Sequence, residues 1–352
     1  MKCKKILTAL LAAACTMSGC HGDLDIMQDN KLSASNMWID ESDAETATYG
    51  IYLYMRDALK SVHDIYLCWG EFRNGLWGAG TNKTLSGVDQ TQVRTSTMSS
   101  SNAYADWSVM YKTVNQANLI LKHVPEMGIS ESVRNFSLGN AYFSRAWCYF
   151  WIARIWGDAP LALTGYESTG GDLYLPRAPK AEIFARIESD LTEAERYVTD
   201  NSDKAVATPA AVQMLKADYA LWMYRVAGGG SSYLAMAEKA IEALNLSASR
   251  LESDYAQVFS SANKLNKEVI FAVHQANGEA VNGPGYYLGW NSNYVEAAYQ
   301  NNPVPITGGN QWWWYTDRYK ALLTSVEGDT RTKLTYNLSL IHISEPTRLD
   351  VI

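Results

Sequence analysis

The feature that most limits what this chain can become is the spacing of its apolar residues between Asp40 and Leu246. It repeats at three and four, the interval that lines up side chains on one face of an α-helix. Ala44, Ala47, Ile51, Tyr54 and Ala58 form one stripe, and Trp107, Met110, Val114, Ala117 and Leu121 a second. Phe184, Ile187, Leu191, Ala194 and Val198 form a third, and Ala210, Met214, Ala217, Leu221 and Tyr224 a fourth. Punctuation falls between them: Pro125 and Gly128 end one helix, Gly157 and Pro160 another, and Thr208-Pro209 opens a third as cap and first turn, with Gly228 to Gly230 closing it. One helix differs. From Asn140 to Trp156 the apolar residues run all the way round, Phe143, Ala146, Trp147, Phe150 and Ala153 on one side and Tyr142, Tyr149, Ile152 and Trp156 on the other, so this helix has to be packed on both flanks.

Trp107 and Ala141 stand 34 residues apart, one tetratricopeptide period, and the region reads as helix pairs stacked in that manner. After Leu251 the grammar changes. Glu268-Val-Ile-Phe-Ala-Val-His274 is a β-branched and aromatic run that predicts a short strand, followed by Gly278, Gly283, Pro284 and Gly285. Beyond it Tyr286, Tyr287, Trp290, Tyr294, Tyr299, Trp312, Trp313, Trp314 and Tyr315 crowd among Asn, Gly and Ser with no helical stripe through most of the stretch. Rings in loop-like sequence are costly unless covered or used. The expected fold class is therefore mainly α, a tetratricopeptide-like superhelix of helix pairs with an irregular, aromatic-rich second half.

The first residues carry an address. Lys2, Lys4 and Lys5 precede an apolar run from Ile6 to Ala14 and then small residues, the plan of a secretory signal, and the run is too short to span a bilayer. Ser18-Gly19-Cys20 closes it in a pattern resembling a bacterial lipobox, which makes Cys20 the expected lipidation site and 1–19 the signal peptide. The chain is acidic, with formal charge -7, and loss of the three leader lysines makes it more so. Such a body repels phosphate backbones and has no basic stripe, which argues against nucleic acid as a partner. Cys68 and Cys148 form no disulfide framework and match no zinc spacing; Cys148 reads as a small core residue.

Several motifs in one order resemble a known family. Ala141-Tyr-Phe143-Ser-Arg145-Ala-Trp-Cys-Tyr149-Phe150, ending in Trp156-Gly157-Asp158-Ala-Pro160-Leu161, is similar to the signature of the RagB/SusD family. Around it stand Leu24-Asp25, Asn115-x-x-Asn118, Pro176-Arg177, Ile187-x-x-Asp190-Leu191, Ala210-Ala211, Glu268-Val-Ile-Phe271 and Gly328-Asp329-Thr-Arg331. The resemblance implies an outer-membrane lipoprotein exposed at the cell surface, without a cofactor, that binds oligosaccharide, or in some branches peptide, and closes over a SusC-like TonB-dependent transporter. It also implies that 20–250 is the helical part and 251–337 the start of a ligand-binding part that family members continue further. Residues 338–352 do not resemble the family and look like translated sequencing adapter, so His342 and Glu345 are set aside.

A sugar offers an apolar face of C–H groups and a belt of hydroxyls, so its site needs flat Trp or Tyr surfaces beside Asn, Arg, Asp or Gln. Two segments have that mixture. The first supplies Trp69, Arg73, Asn74 and Trp77, with Glu71 and Arg73 expected in structural pairs; the second supplies Tyr286, Tyr287, Trp290, Trp312, Trp313 and Trp314. Packing, or an interface with the transporter, is the other use for each of these rings. No catalytic residue is identified: nothing marks a carboxylate pair, and there is no phosphate loop, zinc-type His cluster or nucleophile elbow. The competing readings are a protein-binding tetratricopeptide scaffold and a surface glycoside hydrolase.

Overall fold

The computed structural model describes residues 37–70, 73–78, 88–168, 173–275, 314–329 and 331. Among these, the residues from Asp40 onward form one compact unit. Its long helices are α1 (Glu41–Trp69), α3 (Ser108–His123), α4 (Glu131–Trp156), α5 (Lys180–Tyr197), α6 (Pro209–Arg225) and α7 (Ser231–Ala243). Shorter ones are α2 (Val88–Thr95), α8 (Tyr255–Val258) and α9 (Asp317–Leu323). Four two-residue strands make two antiparallel ribbons: β1 (Trp77–Gly78) with β4 (Trp314–Tyr315), and β2 (Ala159–Pro160) with β3 (Arg177–Ala178).

The helix ends follow local chemistry. Asp40 and Asp43 form a reciprocal capping box on α1, and Thr208 Oγ1 accepts the Ala211 N–H at 3.1 Å with Pro209 in the first turn of α6. Gly157 ends α4 at φ +73°, a backbone conformation costly for a residue with a Cβ. Asp158 then accepts the Lys180 N–H at 2.8 Å, satisfying a first-turn donor of α5 whose own cap position is Pro179.

Helix α4 is the centre of the array. It packs against α1, α3 and α5, and its Phe143, Ala146, Cys148, Tyr149, Phe150 and Ile152 are buried, as the all-round apolar pattern requires. Helices α6 and α7 form the next pair, joined by a short Gly-rich turn, and the stack of paired helices is the tetratricopeptide-like arrangement expected. Trp107 stands just before α3 and Ala141 lies within α4, so their 34-residue offset relates two helices that pack directly on each other. The α4–α5 contact is close because Gly139 has no side chain: a Cβ there would lie 2.7 Å from Val198 Cγ2 and 3.1 Å from the Val198 nitrogen.

One buried polar network ties α3, α4 and α5. Arg145 donates Nε and Nη2 to the two oxygens of Asp190, each at 2.7 Å, and Nη1 to Asn118 Oδ1 at 2.7 Å. Arg186 also reaches Asp190, at 3.1 Å, and the Asp190 side chain is wholly buried. Asn118 passes the tie on, donating Nδ2 to the carbonyls of Ala162 and Thr164. Asn115 does the same one turn earlier, giving Nδ2 to Tyr166 O and accepting the Tyr166 N–H. Tyr111 and Tyr149 give their hydroxyls to Pro160 O and Ala162 O. Each motif residue Asn115, Asn118, Arg145, Asp158 and Asp190 thus serves the same join, that of three helices to the connection after α4.

One sequence expectation fails here, the strand, and two stripes that are helical as expected carry less of the core than their spacing suggests. The fourth stripe is helical but faces the wrong way: Met214, Leu221 and Tyr224 are exposed and of the five only Ala217 is fully buried, whereas Ala211, Val212, Leu215, Tyr219 and Met223 form the packed face. In the first stripe Tyr54 is likewise exposed, and Met55 fills the core position. The run Glu268 to His274 is no strand. Its neighbour is the irregular segment before α6, which offers it one ladder-like bond, Ala272 N–H to Lys204 O at 2.9 Å, while Phe271 turns inward onto Phe143 with centroids 5.4 Å apart. A β-forming run without a partner edge stays irregular.

Removing one member of the buried network should cost far more than removing the pair. Asp190→Ala is expected to lower unfolding free energy by about 3–5 kcal/mol, and the combined Arg145→Met, Asp190→Leu change to recover most of that loss. Equal losses in urea titrations of the single and double variants would show that the network contributes no more than its volume. Gly139→Ala should cost about 1–3 kcal/mol by overpacking, whereas Gly128→Ala, with open space around it, should stay within about 0.5 kcal/mol.

Candidate functional site

Where α1 ends, its last residue meets the end of α4. The Trp69 ring lies 5.2 Å from Trp156 edge-on and 5.8 Å from Trp151, and its indole N–H goes to Tyr104 O at 3.0 Å. Trp156 is fixed likewise, donating to Ala105 O at 3.0 Å and packing against Trp107 at 6.1 Å. Trp147, one turn before Trp151, extends the cluster at 5.7 Å. Trp222 of α6 joins it across Arg154, whose guanidinium lies 3.9 Å from the Phe150 ring, 5.0 Å from Trp151 and 5.8 Å from Trp222, and pairs with Asp218 at 3.2 Å. Burial pushes the Arg154 pKa below its ordinary value, against the pull of Asp218, and the group stays a cation at any physiological pH.

These residues wall an open cleft of about 920 Å³, with Trp69, Trp151, Trp156 and Trp222 as its apolar surfaces and Arg73, Arg154, Asp218, Ser96 and Ser99 as polar ones. Trp151 and Trp222 both line the cleft, and among the described residues neither gives its indole N–H to a partner. Cys68 and Tyr104 form the inner side; both are buried, and burial raises the Tyr104 phenol above its usual range. The size and the mixture of flat rings with a few placed polar groups suit a ligand of a few sugar rings.

Of the residues singled out from sequence, Trp69 and Arg73 line this cleft. Arg73 is exposed and reaches Ser96 Oγ at 3.4 Å; it makes no ion pair among the described residues, and Glu71, the other residue expected in a structural pair, lies outside them. Asn74 is exposed too, and its Oδ1 accepts the Leu76 N–H at 2.8 Å, closing a turn. Trp77 and Trp314 are brought together through backbone: in the β1–β4 ribbon Trp77 pairs with Tyr315 and Gly78 with Trp314, and Thr316 donates its N–H to Leu76 O at 2.9 Å. The two candidate segments, more than 230 residues apart, therefore meet. Tyr286, Tyr287, Trp290, Trp312 and Trp313 lie outside the described residues, as does Cys20.

Sequence reading missed Trp151, Arg154, Trp156, Asp218 and Trp222 as site residues, because rings at helical spacing read as core. A signal was present: Trp147, Trp151 and Arg154 follow one another at four and three, placing a cation on an indole face of an otherwise apolar helix. Among the described residues no cluster of His, Cys, Asp and Glu could hold a metal ion, and no helix is long and apolar enough to cross a membrane.

Comparison with known proteins agrees with this architecture. Residues 79–222 match the family model of SusD-like proteins described as starch-binding, associating with the outer membrane. A SusD-like protein of Formosa agariphila is 26% identical over 190 residues, 54% of this chain and 36% of that protein. Among solved structures, NanU of B. fragilis superposes with TM-score 0.72 at 26% identity, covering 87% of this chain and 64% of NanU. A structure described as solved with xylogluco-oligosaccharide shares the fold at TM-score 0.61 and 22% identity, covering 72% of this chain and 50% of that one. The chain thus spans under two thirds of the relatives it matches. The matched residues 79–222 carry Asn118, Arg145, Asp158 and Asp190, the ties that define the helical array, and over them the chain is similar to proteins of the SusD/RagB family.

Proposed function

We propose that this protein captures oligosaccharide in the Trp-lined cleft, without cleaving it, and hands it to a SusC-like TonB-dependent transporter while anchored to the outer membrane through a lipid on Cys20. The observation that carries the reading is the cleft itself: four indoles around a guanidinium and a carboxylate. The family's description as starch-binding supports a saccharide over a peptide, and its association with the outer membrane supports the anchor and the transporter. Residues 20–250 act in this scheme as the scaffold and 251–337 as part of the ligand-binding side. Against a glycosidase, hydrolysis needs two carboxylates flanking the bond, whereas the cleft's one described carboxylate, Asp218, is ion-paired to Arg154.

Calorimetry of the purified protein against oligosaccharides should find a binder that is recovered uncleaved. Trp151→Ala and Trp222→Ala should each weaken that binding by about ten- to hundred-fold, with far-UV circular dichroism unchanged at 25 °C. Binding undisturbed by both changes would move the site elsewhere, and no saccharide affinity at all would favour a protein-binding scaffold. Cys20→Ala should shift the protein from the membrane to the soluble fraction on cell fractionation.

A further inference from the structure

The cleft is charged against the rest of the molecule. The whole chain carries formal charge -7, yet among the described residues the ionisable side chains lining the cleft are Arg73, Arg154 and Asp218, two cations to one anion. The single anion is spoken for, since Asp218 lies 3.2 Å from Arg154 Nη1. That leaves Arg73, an exposed guanidinium whose bond among the described residues is a long one to the neutral Ser96 hydroxyl. Arg154 itself has five N–H donors and spends one on Asp218. Its plane is held by Phe150, Trp151 and Trp222, which removes most of the conformational freedom that a surface arginine loses on binding.

The hydroxyls of a neutral glycan are met by amide, hydroxyl or arginine donors alike, and none of them requires a guanidinium without a counter-charge. An uncompensated guanidinium beside stacking rings is the arrangement that recognises an oxyanion through charge-assisted hydrogen bonds, about twice as strong as neutral ones. We infer that the cleft selects an anionic oligosaccharide, one carrying carboxylate or sulfate, with Trp151 and Trp222 holding the sugar faces and Arg73 and Arg154 the charged group. This inference rests on the cleft being a saccharide site and specifies the class of saccharide. The acidic body around it adds a second effect: it repels anions in general, so only a ligand that brings its charge onto the two arginines gains.

The test is a panel of acidic oligosaccharides, each set beside its neutralised partner: uronic acid oligomers against their methyl esters, and sulfated galactan oligomers against the desulfated forms. Calorimetry is expected to find a charged member bound at least about ten-fold more tightly than its neutral partner. Its affinity should fall as NaCl rises from about 50 to 500 mM, while any neutral binder stays level. Arg73→Gln, at an exposed position where folding is not at stake, should abolish the preference and flatten the salt dependence. The uronate and sulfate arms separate the two sources of charge. If the charged and neutral partners bind within about two-fold of each other, the anion preference is wrong while the saccharide site stands. If no member of either kind binds, both fall together.

Discussion

The rest of the structure depends on one buried charge, the guanidinium of Arg145 held between Asp190 and Asn118. Taking an ion pair out of water costs several kcal/mol per ion, and attraction offsets this only where geometry and remaining hydrogen bonds are complete. Here the geometry meets most of that demand: Arg145 engages both Asp190 oxygens and gives Nη1 to the Asn118 amide oxygen, and Arg186 adds an ionic contact to Asp190. The consequence is positional. Each of α3, α4 and α5 contributes to it, so sliding any of these helices by a turn, about 5.4 Å, would leave a charge buried without its partner. Apolar packing alone tolerates such slides far better, because it has no direction.

From that fixed register the cleft follows. Arg145 and the tight contact at Gly139 locate the first half of α4, and the helix then carries Trp147, Trp151, Arg154 and Trp156 outward as a rigid rod to meet Trp69 from α1 and Trp222 from α6. Asn118 and Asn115 hold the connection after α4 against α3, so the rod's end does not fray into the cleft. The indole N–H groups of Trp69 and Trp156 are spent on backbone carbonyls, which orients those rings and leaves ligand contact to their faces. Rings placed on helices in this way are held more firmly than rings on loops, and a binding surface built so loses little freedom when a ligand arrives.

How much of this could be read in advance varied with the range of the interaction. The helix starts at Asp40 and Thr208 and the stops at Gly157 and Pro125 are set by a few neighbouring atoms, and they stand where the residues say. The face of α6 was not so determined. Val212, Leu215, Tyr219 and Met223 step by three and four as well as Ala210, Met214, Ala217, Leu221 and Tyr224 do, and periodicity cannot choose between two apolar stripes on one helix. Glu268 to His274 has strand-forming residues, but a strand exists only as a pair, and the partner was a matter for the fold. Trp69 and Arg73 were recognisable because rings and charges mixed in a segment that leaves a helix are hard to explain as packing. Trp151 and Trp222 were not, because the same residues inside a helix have a sufficient explanation in the core.

By itself, then, the amino-acid order determined the helical class, the ends of several helices and the set of motif residues, since each depends on contacts within a few positions of the chain. Tertiary structure alone decided what those motifs are for and where the cleft lies. Arg145, Asn118 and Asp190 are 27 and 45 residues from one another's partners, and Trp69, Arg154 and Trp222 come from three helices. Their meeting is a property of how the helices pack, which no local spacing encodes.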